Sequence, residues 1–188
     1  MAKNLDIFEN DPVPKAVAKL AIPTVASMLV AVIYNMVDTF FVGKLGDPNQ
    51  VAAVSIATPV FLFLMAAGNM FGMGGSSFIS RALGEKNLDK VKHISAFCFY
   101  GSIIIGIFGA FLFFAGMTTI LSLIGSSSAT APFARDYLSY IAYGAPLVVL
   151  STAYSNLVRG EGAATTAMVG MMSGTVANII LDVFCIRK

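Results

Sequence analysis

The chain has 188 residues, of which 57% are hydrophobic and 12% charged, with a mean hydropathy of +0.81 and a formal net charge of +2. Soluble domains run near about 25% charged, so charge this sparse and this clustered excludes an ordinary water-soluble fold and points to an all-α polytopic membrane protein. A membrane β-barrel would show alternating segments of ~10 residues, and none is visible.

The first 15 residues, MAKNLDIFENDPVPK, are polar and mixed in charge. They are not the basic region and short apolar run of a cleavable signal, so the first apolar segment reads as a retained helix. Residues 20–37, 48–80, 94–134, 137–158 and 162–181 contain no Asp, Glu, Lys or Arg. A spanning helix needs about 20 apolar residues, and these runs predict five membrane helices at roughly 16–43, 51–80, 94–124, 133–158 and 166–186. The first carries Pro23 and ends at Gly43, and the turn KLGDPNQ (44–50) follows. The second carries Pro59 and the stretch GNMFGMGGSS (68–77), where Gly68, Gly72, Gly74 and Gly75 suit close helix approach. RALGEKNLDKVKH (81–93) reads as a charged loop with His93 as a solvated loop residue, and GSSSATAP (125–132) reads as a turn. The fourth helix contains Pro146 and ends at RGEGAAT (159–165), before the fifth. Prolines inside membrane helices free carbonyls and allow kinks. Cys98 and Cys185 lie in apolar stretches and read as small buried hydrophobes rather than a disulfide.

The basic residues orient the bundle. Lys3, Lys15, Lys19, Arg81, Lys86, Lys90, Lys92 and Arg159 fall on one side; Lys44, Arg135, Arg187 and Lys188 fall on the other. The amino terminus and residues 81–93 are therefore expected in the cytoplasm, in a multi-pass protein of the plasma (inner) membrane.

Two carboxylates lie inside otherwise charge-free stretches: Asp38 in AIPTVASMLVAVIYNMVDTFFVG (21–43) and Asp182 in MVGMMSGTVANIILDVFCI (168–186). A carboxylate at membrane depth is expensive and marks an ion, proton or substrate site. Tyr34 lies four residues before Asp38, and Asn178 four before Asp182, each pair on one helix face. Asn35, three before Asp38, is also within reach. Counted from Lys19 and Arg159, the depths of the two carboxylates differ by only ~6 Å, so both sit in the outer half of the membrane. Two carboxylates close together in low dielectric do not both stay ionised: they share a proton or a cation. Carboxylate, amide and hydroxyl oxygens are hard ligands suited to Na⁺. No HExxH, GxSxG, P-loop or Cys/His cluster points to an enzyme, and no nucleic-acid partner is expected.

Three segments carry a family resemblance. Residues 21–60, GMGGSSFISRALGEKN (72–87) and LVRGEGAATTAMVGMMSGTVANIILDVF (157–184) resemble the start, the second helix and first cytoplasmic loop, and the fourth-to-fifth helix region of multidrug and toxic compound extrusion (MATE) transporters. The resemblance implies five helices of a six-helix amino-terminal lobe, in a two-lobed antiporter that exports drug-like, amphipathic small molecules. It implies Na⁺ or H⁺ as coupling ion and no other cofactor. By position, it assigns the cation or proton site to Asp38, Asn178 and Asp182, with Tyr34 on the same face. Asn156 lies where relatives often carry a polar residue, and with Asn35 it is a candidate substrate contact. The chain departs from the pattern twice. It ends at Lys188, without a sixth helix or second lobe, which predicts a truncated chain completed by a missing lobe. It also carries Val183 where a proline commonly follows the aspartate. Two other readings are an inert or regulatory membrane fragment and a flippase for lipid-linked sugars. The second is disfavoured because the charge-free cores of the helices hold no basic residue.

Overall fold

The computed structural model describes residues 12–44 and 48–186, with the side chains at 38, 39, 41, 42, 44, 50 and 181–186 outside the description. Five helices fill it: α1 Val13–Lys44, α2 Pro48–Gly84, α3 Leu88–Leu123, α4 Ala131–Gly160 and α5 Ala164–Ile186. No strand occurs among the described residues. Helix is the expected outcome, because in lipid every backbone polar group must be satisfied within its own segment. The first four helices contain stretches long and apolar enough to cross a membrane, and the described part of α5, Ala164–Ile180, is a shorter apolar stretch. Pro23, Pro59 and Pro146 all lie inside continuous helices.

Each helix except α3 starts and ends at or beyond its hydropathy limits, and α3 starts earlier than they indicate. The clearest case is 81–93: α2 runs to Gly84 and α3 starts at Leu88, so only Glu85, Lys86 and Asn87 connect them. Hydropathy marks where apolar surface stops, whereas backbone hydrogen bonding continues into the charged turns. Asn87 caps α3, its side-chain oxygen accepting from Lys90 N at 3.0 Å. His93 is a helical residue, not a loop residue; its Nδ1 lies 2.8 Å from the Asp89 carbonyl oxygen.

Three connections close in one way. In the Schellman turn, a residue in left-handed conformation ends the helix, and the following N–H reaches back five residues. Lys86 (φ 56°), Gly125 (φ 75°) and Gly162 (φ 79°) take the left-handed position. Asn87 N then donates to Ala82 O at 2.9 Å, Ser126 N to Leu121 O at 3.1 Å, and Ala163 N to Val158 O at 3.1 Å.

Packing divides the helices into a trio and a pair. α2, α3 and α4 contact one another extensively, and α1 contacts α5; the pair meets the trio chiefly where α5 meets α4, and only narrowly where α1 meets α2. The core lies in the trio, around Ala57, Leu64, Ile79, Leu138, Val149 and Leu157. Small residues set its spacing. Gly68 lies against Thr152 and the Val149 carbonyl, Gly72 against Asn156, and Gly106 against the backbone of Pro146. Gly75 faces Cys98, which is buried at 2% exposure. Gly74, alike in sequence, does not pack: no atom lies within 4 Å of where its Cβ would be. Cys185 lies outside the described side chains.

Candidate functional site

The α1–α5 pair brings together two of the residues singled out by their spacing. Tyr34 Oη on α1 donates to Asn178 Oδ1 on α5 at 2.8 Å, across 144 residues of sequence. Tyr34 is half-buried and Asn178 exposed. Short connections make successive helices antiparallel, so α1 and α5 run in the same direction. With Tyr34 and Asn178 level, the backbones of residues 38 and 182 stand level as well, each one turn (~6 Å) further along its helix. The side chains of Asp38 and Asp182 lie outside the described residues.

The pair Tyr34–Asn178 supplies a phenol and an amide oxygen, both hard donors of the kind a small cation takes. The hydroxyl donates its hydrogen to the Asn178 amide oxygen. Among the described residues, no group of three or more His, Cys, Asp or Glu could hold a metal ion.

The two other candidates stand elsewhere. Asn35 is exposed on α1. Asn156 belongs to the trio: its Nδ2 donates to Asn69 Oδ1 at 2.9 Å and to Thr152 O at 3.1 Å, joining α4 to α2. Asn69 was not among the residues that spacing singled out. Its signal was present, as an amide inside the charge-free run 48–80, but its partner lies on another helix and no spacing within α2 announces it.

Comparison with known proteins adds the family. The MatE family profile matches residues 23–184. The chain belongs to the MATE family. The chain is 35% identical over 184 residues to the multidrug export protein MepA of Staphylococcus saprophyticus subsp. saprophyticus, covering 98% of this chain and 41% of that protein. It is 34% identical over 180 residues to MepA of Staphylococcus aureus (strain NCTC 8325), covering 96% and 40%. An outward-facing multidrug resistance MATE transporter of the MOP superfamily superposes with a TM-score of 0.85 at 28% identity, covering 96% of this chain and 40% of the other. A MATE structure in the straight conformation gives 0.88 at 28%, with the same coverage. The chain thus spans about two fifths of the length of the relatives it matches. As a MATE-family chain with apolar helices of spanning length, it is a multi-pass membrane protein.

Proposed function

We propose that this MATE chain serves cation-coupled export of amphipathic, drug-like small molecules, with Na⁺ or H⁺ as the coupling ion. The observation that carries the reading is the Tyr34–Asn178 hydrogen bond, which links α1 to α5 one turn below both Asp38 and Asp182. In this reading the two carboxylates share a proton or a Na⁺, because both cannot stay charged in low dielectric without one. Loading or releasing that cation changes the net charge between α1 and α5. The Tyr34–Asn178 contact then tightens or parts, and the seating of the pair against the trio shifts with it. Asn156, held by Asn69, and Asn35 are candidate polar contacts for substrate. The protein works in the plasma membrane with its amino terminus in the cytoplasm, as the excess of basic residues at that end supports.

The function for which the relatives are named, multidrug export, supports the substrate class. The test is efflux of ethidium, a lipophilic cation, from cells that lack other drug pumps and express the chain. Efflux should follow an imposed Na⁺ or H⁺ gradient. Asp38→Asn and Asp182→Asn should each abolish it while leaving membrane insertion intact, and Tyr34→Phe should weaken it. Gradient-independent dye retention in the parent chain would instead favour an inert membrane fragment. Normal efflux by Asp38→Asn would overturn the assigned site.

A further inference from the structure

Away from the α1–α5 contact, a groove of about 690 Å³ lies between α2 and α3, at the end of the bundle that carries most of the basic residues. Its lining includes Met70, Gly74, Phe78, His93 and Phe97, and the volume is in the range of small-molecule sites, about 300–1,000 Å³. Met70, Phe78 and Phe97 are 65%, 61% and 71% exposed, so nothing in the bundle covers it. The groove exists because Gly74 has no side chain, the space over it being empty to 4 Å. Along α2, the lining from Met70 to Phe78 runs for ~12 Å at 1.5 Å per residue, close to the ~15 Å depth of one leaflet's hydrocarbon.

The mouth of the groove is cationic. Gly74, Phe78 and Arg81 fall at positions i, i+4 and i+7, one stripe of α2, so Arg81 stands directly beyond the apolar part. Residues 81–93 hold four basic residues (Arg81, Lys86, Lys90, Lys92) against two acidic ones (Glu85, Asp89). The acids are matched by Lys90, at 3.0 Å from Glu85, and Lys92, at 3.5 Å from Asp89. Arg81 is exposed and makes no ion pair among the described residues. His93 at the same end has Nδ1 committed to the Asp89 carbonyl, which leaves Nε2 as its other polar atom.

We propose that this groove is a binding site for an anionic phospholipid of the adjoining leaflet, one acyl chain lying over Gly74 and the headgroup phosphate meeting Arg81. An apolar slot nearly one leaflet deep, ending at an Arg with no ion-pair partner among the described residues, complements such a lipid in both parts. A zwitterionic lipid matches only the slot. The groove is lined by α2 and α3 alone, so the inference does not rest on the coupling site between α1 and α5.

The chain contains no Trp, so Phe97→Trp places a single fluorescent reporter in the groove. The protein is reconstituted into vesicles of phosphatidylcholine and phosphatidylglycerol in which one or the other lipid carries brominated chains, and quenching is compared. A preference for phosphatidylglycerol of about fivefold is expected, equivalent to about 1 kcal/mol for an Arg beside an anionic headgroup. Added Arg81→Gln should abolish the preference and leave quenching by phosphatidylcholine unchanged. Added Gly74→Phe should fill the slot and reduce quenching by both. Equal quenching by the two lipids in the reporter protein overturns the proposal in favour of ordinary lipid contact. Weak quenching by both overturns it in favour of a covering polypeptide. A preference that survives Arg81→Gln also overturns it.

Discussion

At Gly106, α3 and α4 touch backbone to backbone: a Cβ there would run into the main chain of Pro146, which cannot move aside as a side chain would. At Gly75, the obstacle is Cys98 Sγ at 2.5 Å and Leu157 Cδ2 at 2.7 Å, both ends of buried side chains. At Gly74 there is no obstacle within 4 Å. Overpacking a close-packed core costs typically about 1–3 kcal/mol, and the three sites should divide by what stands opposite them. Gly106→Ala is expected at or above the top of that range, Gly75→Ala within it, and Gly74→Ala near zero or slightly stabilising through reduced backbone entropy. Thermal unfolding in detergent measures all three, and equal losses at Gly74 and Gly106 would contradict the packing described. The contrast also shows what single residues reveal in advance. The Tyr34–Asn178 contact was legible because each residue lies one turn before an aspartate in an otherwise charge-free stretch. Gly74 and Gly75 were not separable, because adjacent glycines differ only in which neighbour they meet. Asn69 escaped because its role is defined by Asn156, across the α2–α4 interface.

Between elements, the turns do much of the specifying. The α4–α5 turn places Gly162 at φ 79°, a conformation in which a Cβ crowds the following carbonyl. Gly162→Ala should lower stability by about 1 kcal/mol, read as a fall in unfolding temperature with the helical spectrum unchanged. In the same turn Glu161 closes α4, half-buried, and burial pushes its carboxyl above the ordinary value of 4.5. A carboxyl that binds its proton more tightly in the folded state supports folding fully below its unfolded pKa, and that support is lost as pH rises through the folded pKa. Stability should therefore decline from the ordinary carboxylate range upward, by the part this group contributes. Glu161→Gln should remove that decline and leave the protein more stable at neutral pH than the parent. Unfolding temperature against pH for both proteins is the check; parallel profiles would show that the burial of Glu161 carries no such penalty. Composition located these turns at 125–132 and 159–165, where glycine is the obvious stop. Charge makes 81–93 look like a loop, yet the helices run through it up to Gly84 and from Leu88. The left-handed residue that closes α2 is Lys86, and a lysine gives no such warning.

For the whole molecule, the division into the α2–α3–α4 trio and the α1–α5 pair is the least legible feature. Apolar residues run almost evenly around every helix, so no stripe names a preferred neighbour, as it would in a water-soluble bundle. Lipid solvates any face left uncovered, and small residues and polar pairs decide who packs with whom. The trio is joined by Gly68, Gly72, Gly75 and Gly106, and the pair by Tyr34–Asn178. If the coupling ion acts between α1 and α5, then the contact area that yields is the narrow one between pair and trio, since bistable packing shifts where few contacts must be exchanged. Spin labels on exposed positions can follow this: Phe63 on α2, Tyr140 on α4, Met36 on α1 and Val176 on α5. The Phe63–Tyr140 distance within the trio should be the same with and without Na⁺ and at acid and neutral pH. The Met36–Tyr140 distance between the bodies should shift by about 2 Å or more. The Met36–Val176 distance should change less than the one between bodies, because the two helices are tied at Tyr34–Asn178. A trio that rearranges while the pair stays fixed against it would mean that the ion signal enters elsewhere, and the Asn69–Asn156 junction would be the place to look next.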